Sequence, residues 1–119
     1  MNIEELRTYC LSKKGVNEEF PFDETTLVFK VMGKMFALTG LESTDHTINL
    51  KCDPEYAIEL REEFSEDIFC GYHMNKKHWN TVNFSGGLKD SFVKQLVDHS
   101  YELVVSGLTK KLKSELDNL

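Results

Sequence analysis

The chain has 119 residues, a mass of 13.7 kDa, a formal charge of −6 and a pI near 5.2. That length suits one domain over 1–119, with a core large enough to need neither a metal nor a disulfide. The acidic balance argues against avid non-specific nucleic-acid binding, and no apolar run is long enough to cross a bilayer.

Asn2 can cap a first helix, with Glu5 three residues on in capping-box register. Ile3, Leu6, Tyr9 and Cys10 form its apolar stripe, and Gly15 suits the position just past its end, which predicts helix 3–14. After a loop through Phe20-Pro21-Phe22, Leu27–Met32 and Met35–Thr39 flank Gly33-Lys34, the pattern of a two-residue type II′ hairpin. That register places Leu27, Phe29, Val31, Phe36 and Leu38 on the core face, and Val28, Lys30, Ala37 and Thr39 on the other. A third strand, His46–Cys52, points Ile48, Leu50 and Cys52 inward and Thr47, Asn49 and Lys51 outward.

Asp53-Pro54 starts the next helix, with Asp as N-cap and Pro at the first turn. Ala57, Leu60 and Phe64 are its buried stripe. A short strand at 68–71 and another at 79–84 follow, and in the latter Trp79, Thr81 and Asn83 face away from Val82 and Phe84. Helix 88–105 carries the widest apolar band, including Phe92, Val93, Leu96, Val97, Ser100, Leu103 and Val104. A last short helix, marked by Leu108, Leu112 and Leu116, has lysines near its start and acids near its end. This opposes its macrodipole, so it should fray unless docked.

The order α-β-β-β-α-β-β-α-α predicts a two-layer α+β domain. It has a largely antiparallel five-stranded sheet, with helices on one face and a polar, open second face.

Between the last two strands lies Gly71-Tyr72-His73-Met74-Asn75-Lys76-Lys77-His78-Trp79-Asn80-Thr81-Val82. It gathers cations, imidazoles, amides, a tyrosine and the chain's one tryptophan. Such a mixture is costly to bury and is expected at the surface or the edge of a groove.

Together with Phe20-Pro21-Phe22, Leu27-Val28-Phe29-Lys30-Val31, Lys34-Met35-Phe36-Ala37-Leu38, Asn49-Leu50-Lys51-Cys52-Asp53-Pro54 and Asp98-His99-Ser100-Tyr101-Glu102-Leu103-Val104, this segment resembles the MmcQ/YjbR family over nearly the whole chain. The resemblance implies an α-β(3)-α-β(2)-α fold similar to the secretion-chaperone-like and frataxin-like folds. The family is largely uncharacterised. It has no established catalytic residues, and a DNA-binding role has been suggested for it on structural grounds.

Two binding roles follow. In the first, DNA or single-stranded nucleic acid meets Lys76 and Lys77, with Lys30 and Lys51 in support. Tyr72 and Trp79 would stack, while His73, Asn75 and His78 would hydrogen-bond. In the second, Val28, Met32 and Met35 on the outer sheet face supply adaptable apolar contact for a protein or peptide, as a chaperone-like module would.

Other chemistry is thinner. Cys70, His73 and His78 roughly match zinc spacing but lack a second half, and the adjacent lysines oppose a cation. Cys52 precedes a helix N-terminus yet falls on the inward side of its strand. No nucleophile-elbow, P-loop or dinucleotide motif occurs, so neither catalytic residues nor a cofactor are expected. His99 reads as a satisfied core-edge histidine. Cys10, Cys52 and Cys70 form no even framework, and the acidic N-terminus is unlike a secretory signal, so a cytoplasmic location with reduced thiols is expected.

Overall fold

The computed structural model describes residues 1–42, 44–71 and 74–119. The elements run α1 Ile3–Leu11, β1 Val16–Glu19, β2 Thr26–Val31, β3 Lys34–Gly40, β4 Thr47–Lys51, α2 Pro54–Glu63, β5 Ile68–Phe69, β6 Trp79–Asn83, α3 Asp90–Ser106 and α4 Lys110–Asp117. The strands form one antiparallel sheet in the order β1-β2-β3-β4-β6-β5. The α+β architecture is thus the expected one, with six strands among the described residues in place of five.

The added strand is β1. Its Val-Asn-Glu-Glu sequence has little β propensity, so tertiary contacts form it. Val16 pairs with Val31, and Glu18 and Glu19 are held by Arg7 and Lys30 respectively. Charged groups along an edge strand also discourage pairing with other chains.

The β2–β3 hairpin corrects the expected register. Met32 (φ 50°) and Gly33 (φ 82°) are both left-handed, so they are the turn residues of a type I′ loop, and Val31 pairs with Lys34. The register then shifts: Lys30 pairs with Met35 but Phe29 with Ala37, which leaves Phe36 as a bulged residue. One extra residue reverses the facing of everything beyond it. Ala37, and Thr39 opposite Leu27, therefore turn toward the helices, while Leu38 joins Val28 on the outer face.

All four helices cover one face. Leu6 and Cys10 of α1, Ala57 and Leu60 of α2, and Val93, Leu96, Val97 and Val104 of α3 bury against Phe29, Phe36, Ile48, Leu50 and Val82. Helix α4 is docked: Leu116 reaches this core, and an added Cβ on Gly15 would lie 2.5 Å from its Cδ1. Lys14 Nζ donates to Asp117 O at 3.0 Å, supplying the C-terminal cation that the helix's own sequence lacks.

At the bulge the sheet opens. β3 and β4 pair only at Ala37–Leu50 and Leu38–Asn49. The fully buried Ser100 of α3 fills the gap, donating to Phe36 O at 2.5 Å and accepting from Lys51 N at 2.9 Å.

Candidate functional site

The outer sheet face is only partly open. Val28, Leu38 and Trp79 form a second buried cluster there, capped by Met35 and Met74. Beside it runs an open groove of about 1070 Å³. Its floor is Leu38 of β3, Thr47 and Asn49 of β4, and Thr81 and Asn83 of β6. Its walls are Phe22 and Thr26 on one side, Met35 at one end, and Phe69, Gly71, Met74 and Asn75 on the other, with Asp45 at the rim.

Strand pairing sets the floor, because Thr47 lies opposite Asn83, and Asn49 opposite Thr81. Thr81 Oγ1 donates to Asn49 Oδ1 at 2.6 Å. Gly71 sits directly on this pair: an added Cβ would lie 2.5 Å from Thr81 Oγ1 and 2.9 Å from Asn49 Oδ1. Glycine is what lets the wall touch the floor.

Among the described residues expected to bind nucleic acid, Asn75 borders the groove, Lys76, Lys77 and His78 face solvent, and Trp79 is buried. Tyr72 and His73 lie outside the described residues. Asn75 does line the groove, and its Oδ1 accepts from Lys77 N at 2.9 Å, while its carbonyl accepts from Trp79 N at 2.9 Å. These bonds fold 75–79 into a tight turn that faces Lys76, Lys77 and His78 to solvent, outside the groove lining.

Arg61 of α2 grips that turn, donating to Lys76 O at 3.0 Å and Asn80 Oδ1 at 2.7 Å. Among the described residues no ion pair engages Lys76 or Lys77.

Trp79 is the correction. It is 9 % exposed, because its strand parity turns the ring under Met74 and against Val28 and Leu38, so it offers no open face for stacking. Lys30 is paired with Glu19 at 2.7 Å. The Lys110–Lys113 cluster sits on α4, docked near Gly15 at the β1 edge, whereas Lys76 is held from α2 beside β5 and β6. The two basic clusters therefore flank opposite edges of the sheet.

What the sequence reading missed are the walls. Phe22 is 67 % and Phe69 41 % exposed, unusual for aromatic rings and hence notable where both line one groove. The pair in Phe20-Pro21-Phe22, set in a loop without apolar periodicity, is the signal that could have flagged one of them. Met35 was anticipated on this face, whereas Met32 packs on the helical side.

Cys52 is buried, and burial raises its thiol to about 11; burial likewise pushes Cys10 up to about 12. Neither is an activated nucleophile, since the thiolate is the reactive form. Cys70 is exposed. A bulky maleimide should accordingly label the native chain at Cys70, with Cys10 and Cys52 reacting only on unfolding. Rapid native labelling of Cys52, read by peptide mass mapping, would contradict this burial.

His99 is satisfied as expected: its Nε2 accepts from Asp53 N at 3.2 Å and its ring meets Tyr56 edge-on. No cluster of three or more His, Cys, Asp or Glu side chains placed to hold a metal occurs among the described residues. No helix among them is long and apolar enough to cross a membrane.

The fold and groove define a class: a two-layer α+β domain with helices on one face of the sheet and a ligand-sized cleft across the other. A sequence model described as YjbR matches residues 11–103, and the chain belongs to the YjbR family. It is 35% identical over 119 residues to the uncharacterised protein YjbR of Escherichia coli K12, with all of both chains covered. It is 38% identical over 92 residues to the uncharacterised protein YbdF of Escherichia coli O157:H7, covering 77% of this chain and 75% of that one. A crystal structure of the Deinococcus radiodurans protein DR2400, a DUF419 domain, superposes with a TM-score of 0.89 at 40% identity, covering 98% of this chain and 88% of that chain. The names of these relatives carry no activity, ligand or partner.

Proposed function

We propose that this chain is a binding protein whose groove on the outer sheet face takes a short, uncharged stretch of extended peptide. The observation that carries the reading is the lining. Four apolar side chains (Phe22, Met35, Phe69 and Met74) surround a floor of Leu38, hydroxyls and carboxamides, and no lysine or arginine is among the described lining residues. Small-ligand and peptide sites have this composition, apolar walls with a few fixed polar groups. Two methionines among the walls let the site adapt to different side chains. A phosphate backbone would find no lysine or arginine among the described residues that line the groove, and phosphate contacts dominate nucleic-acid affinity. Nucleic-acid binding through 71–82 is the rival, supported by the exposed Lys76 and Lys77.

Selection of a random displayed peptide library on the immobilised chain tests the reading. Uncharged sequences bearing an aromatic or aliphatic residue should be enriched. Their affinity should be nearly independent of salt and be lost in the Phe22→Ser/Phe69→Ser chain, while Lys76→Ala/Lys77→Ala leaves it unchanged. No enrichment, together with oligonucleotide binding whose log affinity falls with log salt at a slope of about −2 to −4, overturns it in favour of the rival.

A further inference from the structure

We infer that the groove reads carbonyl oxygens of its ligand through the side-chain nitrogens of Asn49 and Asn75. This rests on the groove being the binding site and adds what the ligand must present there.

A carboxamide offers an acceptor oxygen and a donor nitrogen, and which end faces a ligand depends on what the rest of the protein takes. Three asparagines line the groove, and in each the oxygen is already engaged. Asn75 Oδ1 accepts from Lys77 N at 2.9 Å, and Asn83 Oδ1 accepts from Ser85 N at 3.1 Å. A backbone N–H can only donate, so these two oxygens are fixed toward the protein. Asn49 Oδ1 accepts the Thr81 hydroxyl at 2.6 Å, with Gly71 seated against both side chains.

The nitrogens differ. Asn83 Nδ2 lies 3.4 Å from Asp67 Oδ1 and is partly spent. No hydrogen bond among the described residues takes the Nδ2 of Asn49 or Asn75. Among the described residues, the wall and the floor thus each offer an unspent N–H₂ group to one cleft.

A ligand burying these donors must bring acceptors, or the desolvated N–H groups are left unpaired. Both donors are uncharged and no lysine or arginine is among the described residues of the lining, so the matching acceptor is a neutral carbonyl rather than a phosphate. An extended peptide supplies one carbonyl per residue and apolar side chains for Phe22, Phe69 and the two methionines. The same pairing of acceptors with apolar substituents makes a capped amino-acid amide the smallest probe of the site.

The test is a titration with N-acetyl-phenylalanine methylamide, followed through the side-chain amide signals of Asn49 and Asn75 and the methyl signals of Met35 and Met74. All four should move. In Asn75→Asp the Lys77 turn keeps its acceptor but the donor is gone, and this exposed position poses no folding risk. Asn49→Asp keeps the Thr81 bond in the same way. Each should weaken the probe about tenfold, the loss of one hydrogen bond. Ethylbenzene, which has no hydrogen-bond donor or acceptor, should bind wild type and variants alike.

If the methionine methyls respond but both variants retain full affinity, the donor assignment is overturned and the groove reading stands. If the probe leaves the methionine methyls unmoved, the groove reading itself fails and this inference with it. Movement of the two amide signals with a single-stranded oligonucleotide and not with the probe also overturns the assignment.

Discussion

Replacing Trp79 by alanine is expected to lower folding stability by about 3–5 kcal/mol, the usual cost of truncating a buried aromatic. The ring is nine-tenths buried between Val28, Leu38 and the two methionines, so truncation leaves a cavity under the groove as well as lost apolar burial. Urea unfolding followed by circular dichroism measures this directly. The same substitution discriminates between the two roles open to an aromatic in a basic segment. An external stacking platform contributes to ligand binding and almost nothing to folding, so its removal would shift stability by no more than about 0.5 kcal/mol. A small effect on unfolding would return Trp79 to the surface and revive its part in nucleic-acid recognition.

Ser100→Ala is the second large effect. The Ser100 hydroxyl is fully buried and serves Phe36 O and Lys51 N at once, where the bulge leaves β3 and β4 without ladder bonds. Deleting it leaves a backbone carbonyl and a backbone amide unpaired, and a buried polar group without a partner costs about 1–3 kcal/mol. With two such groups the loss should exceed about 2 kcal/mol, and amide exchange should quicken most at Lys51. Ser106→Ala supplies the control. Its hydroxyl bonds only Leu103 O within its own helix and is exposed, so the change should stay within about 0.5 kcal/mol. Equal effects from the two substitutions would remove Ser100 as the tie between helix and sheet.

Both residues mark what the sequence made legible and what it did not. Ser100 fell on the apolar stripe of its helix, so its burial was readable. Its partners were not, because they exist only where the Phe36 bulge breaks the ladder. The bulge itself left no local signal: Gly33 announced a hairpin, yet whether it filled the first or the second loop position depended on Met32 accepting a left-handed backbone. The bulge at Phe36, not the loop position, moved Leu38 to the outer face, where it joins the cluster around Trp79.

The alternation in Thr47–Lys51 and Trp79–Asn83 was readable, and with it the polar floor of Asn49 and Thr81. The parity that put Trp79 on that face was therefore foreseen. Its covering by Met74 and Met35 was not, since sequence alone does not show how a loop folds back on a sheet. Strand β1 stayed hidden for the opposite reason. Its Asn17, Glu18 and Glu19 disfavour strands, and ion pairs to Arg7 and Lys30 hold it in place.

That a ligand enters the outer-face groove, and not the basic turn beside it, is tested most directly by the chain's four methionines. Met35 and Met74 line the groove, whereas Met1 and Met32 pack on the helical side of the sheet. With isotope-labelled methionine methyl groups and a peptide enriched from the displayed library, the signals of Met35 and Met74 should shift in step with occupancy while those of Met1 and Met32 hold still. Saturable peptide binding that leaves Met35 and Met74 unmoved would place the site elsewhere on the molecule and contradict the account.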